Sequence, residues 1–499
     1  MARTGPLRLI DLIDGTSARM AGPMVDGEAM IRGLTEDSRT VTPGALFAAL
    51  PGTRQHGRAF IGDAIKRGAT AVLAKDGSAL PAHAESAILV TSPKPRQAFS
   101  QIAARFHAGQ PRFIAGVTGT NGKTSVVSFC RQIWAAATEK QAASLGTLGL
   151  VPEVVSPPGA LTTPDPVALH RCLADLTTAG VDRLAIEISS HGLDQERVDG
   201  LVLSAAAFTN LSQDHLDYHG DMESYFRAKA RLFADVLPSD GTAVINADAP
   251  QAGALIEICR QRGQTVWTYG RAEDATLRLD GRASDPHGQD LRLTLFGREV
   301  QVRLPLVGRF QVLNALAAMG LTMADGLDLD TVLPALTQLE GAPGRMQRVA
   351  DTRSGAAVFV DYAHTPDALE TVLDALRPHA RNRLIVVFGA GGDRDTTKRA
   401  KMGAIAAARA DRVIVTDDNP RGEDPGTIRA MIREGAPNAE NIGGRADAIR
   451  AAVTGLTDGD VVLIAGKGHE TGQIVGDSIL PFDDTETARA AVAEQEAGG

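Results

Sequence analysis

One stretch limits what this chain can fold into more than any other: Gly116-Val117-Thr118-Gly119-Thr120-Asn121-Gly122-Lys123-Thr124-Ser125. Arg112 to Val117 is a short apolar run of strand character, and from Thr124 onward apolar residues recur at helical spacing. A glycine-rich turn between a strand and a helix aims several backbone N–H groups at one point, where the helix dipole also favours negative charge. Lys123 supplies a cation, and the Thr124 hydroxyl is placed to reach a phosphate-bound Mg2+. Gly119, Thr120, Asn121, Gly122, Lys123, Thr124 and Ser125 are therefore candidate ligands of nucleotide phosphates. A bare glycine-lysine-threonine match is often an ordinary turn, and the flanking strand and helix set this one apart. The generic loop carries glycine five residues before Gly122, where this chain has Val117.

The rest of the composition narrows the classes. With 499 residues the chain is expected to form about three domains. A net charge of −9 argues against nucleic acid or an anionic membrane as the main partner, and 4% aromatic residues leave few platforms for base stacking. Cys130, Cys172 and Cys259 show neither metal-ligand nor redox spacing and read as buried thiols of a reducing compartment. The N-terminal MARTGPLRLIDLIDG has charge inside its only apolar stretch and does not read as a signal peptide. No segment approaches the about 20 apolar residues of a membrane span, so the expectation is a cytoplasmic protein without one.

Along the chain, ATAVLAK (69–75) and AILVTS (87–92) read as strands, and the two prolines of SPKPR (92–96) read as a boundary without regular structure. After the phosphate loop, LAIEIS (184–189), AAAFTN (205–210) and AVIN (243–246) alternate with helical patterns, the mark of a mainly parallel sheet. Residues 291–304 alternate apolar and polar about Phe296-Gly297, which predicts an antiparallel hairpin. A second series follows the turn at 341–344: VFVDY (358–362), LIVVFGA (384–390), RVIVTDD (412–418) and VVLIAG (461–466). Each of these strands ends in polar or glycine-rich residues, and ligands of open α/β sheets sit beyond the carboxyl ends of strands. The predicted fold is α/β in three domains. A small α/β domain (1–93) and a Rossmann-like domain (341–499) flank a central, mostly parallel P-loop domain (94–340).

Three constellations carry chemistry. Glu187-Ile188-Ser189-Ser190-His191 and Asn210-Leu211-Ser212-Gln213-Asp214-His215 each follow a buried-strand pattern, and carboxylate, hydroxyl and imidazole groups beside a phosphate loop suit Mg2+. Taken singly, Glu187 reads as a strand-end ion pair and His215 as a cap or core histidine; two such clusters after one phosphate loop favour ligation. Lys229, in a helical stretch, reads from spacing alone as a solvated lysine. Arg394, Asp418, Asn419, Arg421 and Glu470 combine both signs of charge, as a zwitterionic amino-acid head requires, although Asp418-Asn419-Pro420 on its own also fits a plain turn.

Gly119–Thr124, Glu187-Ile188-Ser189-Ser190-His191-Gly192-Leu193 and Asn210 through Gly220 together resemble the Mur ligases of peptidoglycan synthesis, over essentially the whole chain and in the family's order. Within the family the chain is similar to the ligases that add the third residue of the stem peptide. The resemblance implies several roles by position. Ser38, in Asp37-Ser38-Arg39, would hold the UDP moiety, and Thr162, Thr163, Ser189, Gln195 and Arg197 the muramoyl-dipeptide. Glu187 and His215 would bind Mg2+, as would Lys229 once carbamylated, because CO2 capture turns a cation into an anionic oxygen ligand. Asn314, Arg345 and Asp361 would contact ATP, and Arg394, Asp418, Asn419, Pro420, Arg421, Gly466 and Glu470 the amino acid. Lysine-adding relatives lack the arginine at the Arg421 position, which makes diaminopimelate the expected amino acid, its distal carboxylate meeting the guanidinium fork. The chain departs from the family's habit at Gln311, His56 and Gly472.

The resemblance implies an ATP-dependent amide ligase working through an acyl phosphate, with Lys123, Lys229, Glu187 and His215 at the chemistry and small molecules as partners of a monomer. A lysine-adding ligase, a folylpolyglutamate synthase-like ligase and an ATP-driven switch are the competing readings. The group that takes the amine's proton stays open, with His364 one option.

Overall fold

The computed structural model describes residues 5–498 except 23, 53–55, 83–86, 139–140, 157–158, 160 and 286; the first four residues of the N-terminal segment read above thus lie outside the described part. The chain divides into two compact units, Met1–Lys123 with Thr138–Trp267 and Ala324–Gly326, and Thr124–Ala137 with Thr268–Met323 and Leu327–Gly499.

Besides a two-stranded pairing of Leu7–Arg8 with Met30–Ile31, the first unit holds two larger sheets. The N-terminal one has five strands in the order Arg19–Ala21, Ile88–Ser92, Ala71–Lys75, Ala45–Ala48 and Gly33–Thr35, parallel apart from the first pair. Its core includes Leu46, Leu73 and Val90 together with Phe99 and Ile102 of helix Pro95–Phe106. That helix corrects the reading of SPKPR as irregular. Proline lacks an N–H that the first helical turn does not need, so Pro95 starts a helix instead of forbidding one. In the second sheet, Gly149–Val151, Ala142–Gly146, Arg183–Glu187, Phe113–Thr118, Ala205–Phe208 and Thr242–Asn246 follow one another. All neighbours are parallel except the first pair. Val117 pairs with Glu187 and Thr118 with Phe208, so the carboxyl ends of three strands lie level.

The chain leaves this unit within strand Thr265–Gly270. In the second unit the expected hairpin is present: Gly288–Leu295 pairs with Arg298–Leu304, turning at Phe296 (φ +50°) and Gly297 (φ +82°). The φ > 0 pair matches the twist of the strands. A third strand, Leu277–Asp285, which the sequence reading did not separate, flanks the hairpin with a bulge at Asp280. The C-terminal sheet orders its strands Gln347–Asp351, Ala357–Asp361, Val461–Ala465, Leu384–Phe388, Arg412–Val415 and Glu440–Asn441. Alternate residues of its continuous apolar strands enter cores on its two faces, Phe359 and Val386 on one side, Val360 and Ile385 on the other. Asp361 pairs with Ala465, Ala465 with Phe388 and Phe388 with Val415, so four strand ends are again level. Helices Lys398–Arg409 and Pro425–Gly435 cross so closely that a methyl group at Gly403 would strike the Ile432 carbonyl, and one at Gly435 the Ala400 carbonyl.

Candidate active site

Strand Phe113–Thr118 delivers the chain into the phosphate loop, and helix Lys123–Ala137 begins at its far end. Gly119 has φ +145° and a side chain there would run into Thr209, so neither the conformation nor the space admits another residue. The loop is fastened by the second motif. The Asn121 N–H donates to Asn210 Oδ1 (3.0 Å), Thr209 Oγ1 donates to the Asn121 carbonyl (2.6 Å), and the Thr120 N–H donates to the Asn210 carbonyl (2.9 Å). Lys123 Nζ donates to the carbonyls of Gly119 (2.9 Å) and Thr120 (2.8 Å).

Lys229 overturns the bland reading from helical spacing. Its side chain is buried, Nζ donates to the same Gly119 carbonyl (2.8 Å) and lies 4.5 Å from the centre of the Tyr225 ring. Burial, with the Lys123 charge acting in the same direction, pushes its ammonium well below the usual lysine range.

Glu187, at the end of its strand and 1% exposed, accepts from the Thr147 N–H (2.9 Å) and hydroxyl (3.3 Å). Among the described residues it has no ion pair, so a buried carboxylate keeps acceptor sites in hand. A methyl at Gly146 would collide with that carboxylate, a constraint the sequence reading missed. His215, at φ +53° and about half exposed, has Nε2 3.4 Å from Asp214 Oδ2 and sets its ring edge-on to His191 at 4.9 Å. Among the described residues no three His, Cys, Asp or Glu side chains gather into a metal-holding group.

Four of the five residues expected at the muramoyl-dipeptide form one network. Thr163 Oγ1 accepts from the Ser189 N–H (2.9 Å), while Arg197 donates to the Thr163 carbonyl (2.8 Å) and to Gln195 Oε1 (2.7 Å). Burial lowers the pKa of this guanidinium. Thr162 stands one contact away, its hydroxyl 3.2 Å from that of Thr147. Ser38 is buried in the turn Ser38–Thr40, capped by Asp37.

In the second unit Thr124 and Ser125 are buried in the first turn of their helix. Gln311, one of the departures, explains itself: its side chain accepts from Asn314 Nδ2 (3.0 Å) and donates to the Arg345 carbonyl (3.3 Å), joining two residues expected at the nucleotide. The Arg345 guanidinium lies over the Tyr362 ring (4.6 Å), and its buried Nε has no hydrogen-bond partner among the described residues. Asp361 accepts from the N–H groups of Met346 (2.7 Å) and Ala363 (2.8 Å), and burial raises its carboxyl above the usual range. Of the other departures, His56 caps the turn Gly57–Phe60 through the Arg58 N–H (3.3 Å), and Gly472 opens strand Gly472–Val475.

At the ends of the C-terminal strands, Asn419 Nδ2 donates to Glu470 Oε2 (2.9 Å) and Asp418 Oδ1 accepts from the Asn419 N–H (2.6 Å). Gly466 (φ +119°) leaves room for Asp418, since a side chain there would meet Oδ2 at 2.6 Å. Pro420 is buried in the loop, and Arg421, at φ +52°, donates from Nη1 to the Gly392 carbonyl (2.8 Å). Arg394 is exposed on the neighbouring loop. Sequence reasoning missed two buried cations here. Lys467 Nζ reaches Asn419 and Glu470, and Arg445 makes a two-bond pair with Asp484 (2.7 Å each) behind Asp418. Both look like ordinary surface residues in a sequence; only the strand-end position of Lys467 could have flagged it.

The sequence matches the Mur ligase family, catalytic domain over residues 30–107, the Mur ligase middle domain over 117–322, and the Mur ligase, glutamate ligase domain over 344–468. The UDP-N-acetylmuramoyl-L-alanyl-D-glutamate--2,6-diaminopimelate ligase of Caulobacter vibrioides is 51% identical over 471 residues, 93% of this chain and 96% of that protein. The ligase of the same name from Zymomonas mobilis is 49% identical over 466 residues, 93% and 95% of the two chains. A solved structure of a ligase of that name superposes with a TM-score of 0.75 at 32% identity, covering 98% of this chain and 99% of that one. The three-domain α/β architecture expected from the sequence is the one found.

Proposed function

This chain belongs to the Mur ligase family, and from that premise we propose that it joins meso-diaminopimelate to UDP-N-acetylmuramoyl-L-alanyl-D-glutamate with cleavage of ATP to ADP and phosphate. The observation that carries the reading is the strand-end pocket of mixed sign, in which Asn419 orients Glu470 while Arg421 offers a fork for a carboxylate. We assign residues 1–93 to the UDP moiety, 94–340 to ATP and 341–499 to the amino acid, and place the reaction in the cytoplasm, where ATP is supplied.

In this reading the phosphate loop presents its N–H groups to the ATP phosphates and Lys123 exchanges its carbonyl partners for phosphate oxygens. Asn314, Arg345 and Asp361 are assigned to the nucleotide. Thr163, Ser189, Gln195 and Arg197 orient the acceptor, Arg197 being partly buried among them. The acceptor carboxylate takes the γ-phosphoryl group to give an acyl phosphate. The amine of diaminopimelate, steered by Glu470 and Asp418, attacks that carbonyl carbon, and phosphate leaves.

The residues fit Mg2+. A buried carboxylate that has no cationic partner among the described residues, and that keeps spare acceptor sites, suits a hard divalent cation; few protein ligands are needed when phosphate oxygens and water complete the shell. Glu187, His215 and Thr124 would hold it, with Lys229 as its carbamate. Bound there, the ion supplies charge neutralisation on the transferring phosphoryl group. Lys229 is suited to carbamylation because burial favours its neutral amine, which can add CO2, losing a proton from nitrogen to leave an anionic carboxylate.

The test measures phosphate release from ATP with the UDP-muramoyl-dipeptide, comparing meso-diaminopimelate with L-lysine and weighing the product. Turnover with diaminopimelate alone is expected. Turnover with lysine would overturn the role of Arg421, and release with neither amine would overturn the ligase reading.

A further inference from the structure

Lys467 is fully buried, and its ammonium has three donors for three acceptors: Asn419 Oδ1 (3.1 Å), Glu470 Oε2 (3.2 Å) and the Gly472 carbonyl (2.6 Å). Those acceptors are not a random set. Asn419 Nδ2 donates to the same Glu470 oxygen (2.9 Å), which closes a triangle of Lys467, Asn419 and Glu470. Among the described residues both bonds go to Oε2, leaving Oε1 of Glu470 for a ligand. Gly472 opens the strand Gly472–Val475, whose next bonds run to the other end of the pocket. The Ile474 N–H donates to Asn419 Oδ1 (2.9 Å), the Ile474 carbonyl accepts from the Arg421 N–H (3.1 Å), and the Arg421 carbonyl accepts from the Gly476 N–H (2.8 Å).

One continuous hydrogen-bonded frame therefore runs from Lys467 through the strand to the backbone of Arg421, which is held at φ +52°. We propose that Lys467 is a positioning residue of this pocket: it fixes Glu470 and Asn419 against the strand that also holds Arg421, and so sets the spacing between the ammonium-binding and carboxylate-binding ends. The inference rests on the assignment of Glu470 and Arg421 to diaminopimelate. Charge supports it. The Lys467 ammonium, 3.2 Å from Glu470 Oε2, holds that carboxylate aimed before any ligand amine arrives. A ligand amine then adds to an arrangement already made instead of having to assemble it.

Lys467→Met keeps the length of the side chain and removes all three donors. The expected result is a KM for diaminopimelate raised at least tenfold, with the KM values for ATP and the UDP-muramoyl-dipeptide within twofold of wild type and kcat within threefold. A merely structural lysine would lower the melting temperature and the active fraction without moving one KM alone. A diaminopimelate KM within twofold of wild type in a folded Lys467→Met overturns the proposal. A second arm combines it with Glu470→Gln. If Lys467 acts in part through Glu470, adding Lys467→Met to Glu470→Gln raises the diaminopimelate KM by clearly less than it does in wild type; fully multiplied effects overturn the proposal. Should Lys467→Met fail to fold, Lys467→Gln, shorter and uncharged, takes its place in both arms. Wild-type enzyme inactive with diaminopimelate would refute the proposed function itself, which keeps the two failures apart.

Discussion

Gly146→Ala is the sharpest test of how Glu187, the carboxylate proposed to hold Mg2+, is kept in place. A methyl carbon at Gly146 would stand 2.5 Å from Glu187 Cδ and nearer still to Cγ and Oε1, where non-bonded carbons rest at about 3.5–4.0 Å. The overlap of about 1 Å has no easy outlet. Glu187 is 1% exposed, and swinging it away breaks its bonds to the Thr147 N–H and hydroxyl. Overpacking of this kind costs about 1–3 kcal/mol, and a lost hydrogen bond to a charged group about 1.5–3 kcal/mol. With partial relaxation the variant should be less stable by about 2–4 kcal/mol. A carboxylate displaced by that much should also demand about tenfold or more Mg2+ for half-maximal ADP release, since about 1.4 kcal/mol is a factor of ten. Denaturant melts and Mg2+ titrations of turnover read the two effects. Gly253→Ala, in helix Ala252–Gln261 with nothing within 4 Å of the added methyl, is the control and should gain about 0.5–1 kcal/mol. A Gly146→Ala enzyme that melts with wild type and saturates at the same Mg2+ concentration would refute the reasoning.

Three further outcomes are expected. Arg421→Lys should lose about 100-fold or more in kcat/KM for diaminopimelate, since a point charge cannot replace the fork; an unchanged ratio to lysine would count against the carboxylate contact. Lys229→Arg should lose at least about 100-fold in kcat together with the carbamate carbon signal from 13C-bicarbonate in NMR, and retention of that signal would assign it elsewhere. The Arg303 guanidinium holds the Asp285 carboxyl down from its ordinary 3.8 to about 2. Its stabilisation is complete above pH 3.8 and fades as the pH falls toward 2. The gap caps the contribution at about 2.4 kcal/mol, which one-third exposure screens to about 1 kcal/mol. Urea melts of Asp285→Asn should therefore trail wild type by about 1 kcal/mol at pH 7, with the gap shrinking below pH 3.8 and nearly closed at about pH 2; a pH-independent gap would assign the loss to packing.

What the sequence made legible were the features with local chemical causes. Buried parallel strands such as Ala357–Asp361 and Val461–Ala465 appear as unbroken apolar runs because both faces are covered, and the phosphate loop declares itself through its glycines. Leu277–Asp285 did not, since its outer half is polar and a bulge at Asp280 breaks the alternation. Lys229 and Lys467 were invisible as buried cations for a different reason. A lysine's surroundings come from residues far away in the chain, here the Gly119 carbonyl 110 positions upstream and Asn419 48 positions upstream. Gly146 belongs to the same class, its necessity residing in Glu187 on another strand. Pro95 was misread because proline was treated as a breaker without asking where in a helix it stood.

The crossing of helices Lys398–Arg409 and Pro425–Gly435 has mechanical weight. Arg394 sits on the loop leading into the first helix and Arg421 on the loop leading into the second. The crossing at Gly403 and Gly435 is backed near its mouth by buried Arg399, which pairs with Glu423 through two bonds (2.8 and 2.9 Å). Two rods pinned at such a point behave as one lever. A side chain at Gly403 or Gly435 would have to spread the two helices, and with them the loops that carry Arg394 and Arg421, so a change far from the residues proposed to meet the amino acid would reach both of them at once.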